Sequence, residues 1–379
     1  MPSPTLFARF RSLVGGRGAA ALCLILFSLE LGYSQGPHAA TIITFDAPGA
    51  GTSAGQGTTA LFDDATGAIF GWYLDANDVY HGFRRAPDGR FTTIDAPGAG
   101  TAGYTGTFVE FGSSQDGTIV GYDIDANGVD HGFLRAPDGR FTMIAVPSAG
   151  LQGTVPESIN PEGAIAGWYF DASFAVHGFM RAPNGQITTF DVPGAGTGAY
   201  QGPYTEGITP LGEIMGLYYD ASFGVHGFLR APDGAVTTFD GPGASTSAYQ
   251  GTWAEGINPK GEITGFYYDA SGVPQGFLRA PDGTLTTFDV PGAGTGEYQG
   301  TWASDLNPAA EVVGYYYDPN NVTHGFVRDR EGNITTFNVP GAGTGSGQGT
   351  YGYTIDPVGE IVGGYVDASG VSHGLLRTP

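Results

Sequence analysis

Hydrophobic and polar side chains alternate in short segments of this chain, and the segment Glu262–Asp269 shows the pattern most clearly. Every second residue there falls on the same side, and both sides are rich in aromatic and β-branched residues, which is typical of a β-strand. Beyond residue 40, Gly or Pro interrupts every stretch of about ten residues, and both residue types disfavour helices. The pattern therefore predicts an all-β chain.

The segment around this strand predicts four strands in succession. We expect strand A at Trp253–Asn258, strand B at Glu262–Asp269, strand C at Val273–Leu278 and strand D at Leu285–Asp289. The connections from A to B and from C to D carry Pro at the second turn position and Gly at the fourth, which favours tight β-turns. Short turns between consecutive strands predict an antiparallel sheet.

This segment is one copy of a repeat that fills the chain after residue 40. Its most visible mark is the tripeptide His-Gly-Phe, which begins at His81, His131, His177, His226 and His324 and recurs as Gln275-Gly-Phe and His373-Gly-Leu. Successive copies are 50, 46, 49, 49, 49 and 49 residues apart. Four antiparallel strands in a period of about 49 residues are typical of a β-propeller blade. The copies predict a seven-bladed β-propeller.

The two ends of the repeat region support a closed ring. The last copy stops at Pro379, after its strand C, whereas the region opens with an unattached strand D at Thr41–Asp46. We expect this first strand to complete the last blade, since closure removes an unpaired sheet edge. A β-solenoid is the alternative, but a solenoid would not need this offset between the ends.

Residues 1–40 do not belong to the repeat and resemble a secretory signal. Three arginines precede the short apolar run Ala19–Phe27, which is too short to span a bilayer. Cleavage after Ser34 or Ala40 is the expectation, and an uncleaved N-terminal anchor is the alternative. We therefore predict a leader at 1–40 and one propeller domain at 41–379, secreted, on the cell surface or in the periplasm.

Cysteine usage and charge narrow the function. Cys23, the single cysteine, lies in the leader, so the mature protein would contain no disulfide. The chain has 15 basic and 37 acidic residues and a net charge of −22. Such a surface repels nucleic acid and anionic membranes, whose binding requires Lys and Arg. A hydrophobic fraction of 41% with 13% aromatic residues argues against disorder.

One motif in each copy resembles a known family. Gly256-Ile-Asn-Pro-Lys-Gly-Glu-Ile263, followed by Gly265 and then by the His-Gly-Phe element, resembles the bacterial extracellular repeats of the HAF family, in which G-I-N-x-x-G-x-I-x-G precedes His-Ala-Phe. The resemblance covers roughly residues 41–379, with Gly in place of the middle Ala in every copy. It implies an exported β-rich protein and transfers no activity.

The strand order predicts which loops share a face. The B–C loops and the connections from strand D to the next strand A would lie at one end of the blades, and we expect ligands there because longer loops usually carry binding. Aromatic residues on these loops are the candidate ligand-binding residues: Phe174, Phe223, Tyr104, Tyr200, Tyr249 and Tyr298. The repeated Asp and His residues are interpreted instead as turn caps and cross-strand ties.

One B–C loop resembles half of a calcium site. Asp123, Asp125 and Asn127 alternate before a glycine, and Asp130 follows, which is a pattern of oxygen ligands that Ca²⁺ prefers. Leu134 stands where the bidentate acid of a calcium loop belongs. The alternative interpretation is a solvated loop, and calcium is the only cofactor candidate.

These observations predict a monomeric, exported binding or interaction module for carbohydrate or protein. The alternative is an extracellular polysaccharide lyase or glycoside hydrolase on a propeller scaffold. The sequence offers too many acids to choose a catalytic pair, so no catalytic residue is named.

Overall fold

The computed structural model describes residues 40–379, which consist of strands, turns and loops without a helix. The predictions for the leader, including its cleavage and Cys23, fall outside the described residues. Within the described range, no helix is long and apolar enough to cross a membrane. The all-β prediction is confirmed for this part of the chain.

The strands recur in a fixed order, and we name them by their order along the chain. The first strands of successive copies are β2 (Gly57–Asp63), β6 (Gly106–Ser113), β10 (Thr154–Ile159), β14 (Gly202–Ile208), β18 (Thr252–Ile257), β22 (Gly300–Leu306) and β26 (Gly349–Ile355). The second strands are β3 (Ile69–Leu74), β7 (Ile119–Ile124), β11 (Ile165–Phe170), β15 (Ile214–Tyr219), β19 (Ile263–Tyr268), β23 (Val312–Tyr317) and β27 (Ile361–Val366).

The third strands carry the His-Gly-Phe element, and the fourth strands are the shortest. The third strands are β4 (Tyr80–Arg85), β8 (Asp130–Arg135), β12 (Val176–Arg181), β16 (Val225–Arg230), β20 (Pro274–Arg279), β24 (Thr323–Arg328) and β28 (Ser372–Thr378). The fourth strands are β5 (Phe91–Ile94), β9 (Phe141–Ile144), β13 (Ile187–Phe190), β17 (Val236–Phe239), β21 (Leu285–Phe288), β25 (Ile334–Phe337) and, at the start of the chain, β1 (Thr41–Phe45).

Four consecutive strands pair into an antiparallel sheet, which we call a meander. Meanders I to VI begin at β2, β6, β10, β14, β18 and β22 in turn. Meander VII contains β26, β27 and β28, and β1 completes it by pairing with β28 from Thr41↔Thr378 to Phe45↔Gly374. The first strand therefore joins the last sheet, as the offset between the chain ends predicts.

The meanders are arranged in a closed series. Each first strand contacts the first strand of the next meander, and β26 of meander VII contacts β2 of meander I. The first strands consequently surround a common centre. Hydrophobic clusters fill the space between neighbouring meanders, as where Ala166 of meander III packs with Ile214 and Phe228 of meander IV.

The glycine of the His-Gly-Phe element makes room for an aromatic ring. An added Cβ at Gly227 would lie 2.6 Å from ring carbons of Phe239 on the neighbouring fourth strand, and one at Gly276 would lie 2.7 Å from the ring of Phe288. Real Cβ contacts do not fall below 3.0 Å. In these copies the ring on the fourth strand is thus the physical reason for glycine, and at Gly82 the added Cβ would meet Val109 and Ile94 instead.

The repeated His and Asp residues tie strands and loops together. The imidazole of His177 stacks on Tyr169 of the second strand, with 5.2 Å between ring centroids, and its Nδ1 lies 2.6 Å from Oδ1 of Asp191 at the end of the fourth strand. In the B–C loop of meander V, Oδ1 of Asp269 accepts hydrogen bonds from the backbone N–H groups of Ser271 and Val273. These residues build each meander, as their occurrence in nearly every copy predicts.

Candidate functional site

The B–C loops and the inter-meander connections meet at one face. The backbone N–H of Tyr200 in the connection from meander III to IV donates to the carbonyl of Phe174 in the preceding B–C loop, at 2.7 Å. Tyr249 and Phe223 form the same bond one meander further on, also at 2.7 Å. We call this surface the loop-rich face.

All six aromatic candidates of the loop-rich face have left-handed backbone conformations. Their φ angles are 62° at Tyr104, 65° at Phe174, 63° at Tyr200, 62° at Phe223, 64° at Tyr249 and 62° at Tyr298. Most copies without these aromatics place glycine at the same positions, as with Gly55 and Gly347 in the connections, whereas two B–C loops place Asp78 and Asn321 there. A bulky residue in this region costs roughly 1–2 kcal/mol relative to glycine. The aromatic side chains are therefore retained against a backbone penalty.

Five of these aromatics follow one another along successive meanders, and we call them the aromatic arc: Phe174, Tyr200, Phe223, Tyr249 and Tyr298. Within the arc, the rings of Phe223 and Tyr249 lie 5.2 Å apart and those of Phe174 and Tyr200 lie 6.0 Å apart. Tyr249 and Tyr298 are 51% and 54% exposed. Tyr104 is 47% exposed but follows meander I, so the structure leaves it apart from the arc.

The four predicted calcium ligands do not share one side of the sheet. Asp125 caps its own loop, because Oδ1 accepts the backbone N–H groups of Asn127 and Val129 at 2.8 and 3.0 Å. Asp123 pairs directly with His131, the residue after Asp130, and successive residues of a strand point to opposite faces. Asp123 and Asp130 therefore lie on opposite faces of the sheet. Calcium binding by these residues stays a prediction.

Asp123 stands where the other copies place the tyrosine that stacks on the repeat histidine. It is 1% exposed, and neither of its carboxylate oxygens has a hydrogen-bond partner. Burial raises the pKa of Asp123 to about 6. Its neighbour Asp130 is 7% exposed, and burial together with the charge of Asp123 raises its pKa to about 8.

A cavity of about 540 Å³ lies at the centre of the ring. The middle of the first strands forms its wall, and each of these strands has a β-bulge at the same place. Glutamates occupy the bulge in four successive meanders: Glu110, Glu157, Glu206 and Glu255. Leu61, Ser304 and Tyr353 occupy it in the other three. A bulge re-aims the side chain of its extra residue, and here the re-aimed residues line the cavity.

Burial perturbs the acids of this cavity. Burial and the charge of Glu255 raise the pKa of Glu157 to about 8, although the indole of Trp168 hydrogen-bonds to its carboxylate. Burial raises the pKa of Asp305 to about 7, and the backbone N–H of Ile355 donates to its Oδ2 at 3.1 Å. The site thus holds carboxyl groups whose pKa values burial raises toward neutral pH.

A group of acids at the junction of meanders VII and I has the spacing of a metal site. The carboxylates of Asp63, Asp356 and Glu360 each offer an oxygen within 4.8 Å of the others. Burial and the charges of Asp356 and Glu360 raise the pKa of Asp63 to about 7. In meander VI the equivalent of Asp356 is Asn307, whose Nδ2 donates to Glu311 at 2.6 Å. An aspartate cannot make that bond, so these three carboxylates lack the amide donor of meander VI.

The sequence did not point to the cavity or to this trio. The glutamates of the cavity recur in only four copies. Their position does not stand out in the sequence, because the bulge interrupts the period-two alternation of the strand. Asp63 and Asp356 are far apart in the chain and come together only where the ring closes. The recurrence of Glu at one position of strand A in four successive copies is the signal that would have found the cavity.

No protein-family model and no curated protein matches this sequence, so membership of the HAF family stays a prediction. Among solved structures, BP39L lectin from Burkholderia pseudomallei matches 82% of this chain and 91% of its own, with 10% identity and a TM-score of 0.54. The lectin of Aleuria aurantia, a six-bladed β-propeller, matches 73% and 92% with 11% identity and a TM-score of 0.41.

TolB from Acinetobacter baumannii is also similar, at 11% identity and a TM-score of 0.46, and covers 85% of this chain. The chain spans 63% of the length of that TolB. At such low identities the likeness concerns the fold alone. The chain is an all-β protein of four-stranded sheets, and BP39L lectin is among the solved structures with a similar fold.

Proposed function

We propose that the meanders are the blades of a seven-bladed β-propeller, and that this propeller is an exported binding module for carbohydrate. The pairing of β1 with β28 and the contact of β26 with β2 support the closed ring. The ligand would dock on the loop-rich face, at the aromatic arc.

The observation that carries this proposal is the left-handed backbone of every aromatic in the arc. Other copies form the same turns with glycine, aspartate or asparagine, so the turns do not require an aromatic residue. Strained residues concentrate at binding sites, where function offsets their cost. Tyr249 and Tyr298 are also more than half exposed, and exposed aromatic side chains on neighbouring loops are typical of interaction surfaces.

Carbohydrate suits the arc because the flat C–H face of a sugar ring stacks on an aromatic ring, while its hydroxyl groups need acceptors nearby. Asp191 and Asp240, at the ends of the fourth strands of meanders III and IV, supply such acceptors, with side chains that are 69% and 49% exposed. Aromatic walls with a few polar groups are typical of small-molecule sites.

Affinity electrophoresis through gels that contain a panel of polysaccharides, with calcium and with chelator, tests the proposal. We expect one glycan to retard the protein and the variants Tyr249→Gly and Tyr298→Gly to migrate freely in it. Both variants should fold, because glycine occupies the same position at Gly55 and Gly347. Phe174→Ala with Phe223→Ala should also weaken retardation, and Tyr104→Gly, outside the arc, is the matched control.

Equal retardation of the wild type and the arc variants would contradict carbohydrate binding at the arc. Absence of retardation by every glycan would favour a protein ligand instead.

The second candidate function is a polysaccharide lyase or glycoside hydrolase. The raised pKa of Glu157 beside the charge of Glu255 favours it, because glycosidases combine an acid with a carboxylate. Release of reducing ends or unsaturated products from the retarding glycan, lost in Glu157→Gln, would distinguish the enzyme from the module.

A further inference from the structure

The acids of the central cavity are not required to build the ring. The same bulge forms with Leu61, Ser304 and Tyr353 in three meanders and with glutamate in the other four. The glutamates belong to the successive meanders II to V, and Asp63, Asp305 and Asp356 line the cavity from meanders I, VI and VII. An acidic wall whose glutamates the fold does not need indicates a role in binding.

Asp130 gives independent evidence for a positively charged ligand. It lines the same cavity and is only 7% exposed. Among residues 40–379, no side chain or backbone group donates a hydrogen bond to its carboxylate. The charged groups that act on it, Asp123 and Asp125, are themselves acidic. A buried carboxyl without a donor either stays protonated or ionises with a cation beside it, and a cationic ligand in the cavity would supply that partner.

The rest of the wall has the chemistry of an organic-cation site. Its charged residues are all acidic, since neither Lys, Arg nor His occurs among the residues that line the cavity. Aromatic side chains line it as well, including Trp72, Trp168 and Tyr204, and ammonium groups bind favourably over aromatic faces.

A single metal ion does not suit these glutamates. Within the described range, the only group of three or more acids whose oxygens converge within 4.8 Å is Asp63, Asp356 and Glu360, where meanders VII and I meet. The glutamates and Asp130 are therefore too widely spaced to ligate one ion together. A ligand with several separated positive charges reaches them, and a cavity of about 540 Å³ is of the size that holds a small organic molecule.

We propose that the central cavity binds a small linear polyamine, whose ammonium groups pair with Asp130 and the four bulge glutamates. The methylene segments between the ammonium groups lie against the aromatic wall. This site is separate from the aromatic arc and does not depend on carbohydrate binding there.

Isothermal titration of the purified protein with spermidine tests this proposal. Salt at about 150 mM suppresses weak attraction of the polyamine to the acidic surface. We expect a single-site isotherm and a change in tryptophan fluorescence, because two of the four tryptophans line the cavity. Glu157→Gln with Glu255→Gln should weaken binding by roughly tenfold or more, since a carboxyl can give up its proton and pair with an ammonium group, whereas an amide cannot.

Two variants control for other effects. Glu331→Gln removes one acid from an exposed turn far from the channel and should leave the affinity unchanged. If the glutamine variants fail to fold, Glu255→Ser replaces them, because meander VI already carries Ser304 at the same bulge.

Three results would overturn the proposal. Absence of saturable spermidine binding would show that the cavity is not a polyamine site. Weakening by Glu331→Gln equal to that of the cavity variants would show that the acidic surface attracts spermidine in general. Full competition by Ca²⁺ that disappears in Asp356→Asn would assign the ligand to the carboxylates of Asp63, Asp356 and Glu360.

Discussion

Replacement of Gly227 by alanine tests the packing rule that explains the His-Gly-Phe element. The added Cβ would lie 2.6 Å from two ring carbons of Phe239, and an ordinary contact needs at least 3.4 Å. The ring must therefore move by about 0.8 Å or the sheet must open, and extra volume in a packed core typically costs 1–3 kcal/mol. The ring cannot swing away easily, because it packs edge-on against Phe277 at 6.1 Å and the guanidinium of Arg279 lies 4.8 Å from its centroid.

Alanine is otherwise favoured over glycine in a strand by roughly 0.5–1 kcal/mol, so we expect a net loss of about 1–2 kcal/mol in the free energy of unfolding. Urea denaturation at constant m-value measures it. Gly103→Ala is the control, because an added Cβ there meets no atom within 4 Å. It should leave the stability unchanged.

The double variant Gly227→Ala with Phe239→Ala tests whether the ring of Phe239 causes the loss of stability. With Phe239→Ala in place, the clash disappears, so Gly227→Ala should then be neutral or stabilising. The two changes would be non-additive by about 1–3 kcal/mol, as expected for residues in contact. Additive losses, or full stability of Gly227→Ala alone, would refute the steric explanation of this glycine.

Two further predictions concern the closure of the ring and the acids near its centre. Deletion of Thr41–Asp46 should lower the melting temperature in calorimetry, because β28 would lose its partner and His373 its contact with Asp46 at 2.8 Å; an unchanged melting temperature would contradict closure by β1. For Asp305, a folded pKa of about 7 against 3.8 means that the folded state binds the proton more tightly. The wild type should therefore lose stability relative to Asp305→Asn as the pH rises from about 4 to 8, by about 4 kcal/mol at most at 1.36 kcal/mol per pKa unit. Urea titrations at both ends of this range check it, and a pH-independent difference would argue against a buried, protonated carboxyl.

Much of the fold was predictable because its determinants are local. Each predicted strand bound of the copy at Thr252–Val290 lies within one residue of the structure: strand B was expected at Glu262–Asp269 and β19 covers Ile263–Tyr268. Alternation with period two and turns with Pro and Gly act over a few residues, so a sequence displays them directly. The offset between the two chain ends was also readable, and β1 pairs with β28 accordingly.

The candidate sites were less predictable, for different reasons. The aromatics of the loop-rich face could be named from their loops, but their left-handed backbone is a property of the folded turn. The calcium pattern at Asp123, Asp125 and Asn127 matched residue types but not directions, since the pleat sends Asp123 and Asp130 to opposite faces and the loop uses Asp125 as its own cap.

The sequence by itself determined the repeating unit of this protein: the strands, their turns, the glycine beneath the fourth-strand ring and the strand left over for closure. Only the tertiary structure decided what lies at the centre. The bulges that turn Glu157 and Glu255 inward and the closure that brings Asp63 to Asp356 depend on how whole sheets pack around the ring. Contacts between residues so distant in the chain leave no periodic mark, because they arise from the geometry of closure rather than from neighbouring residues.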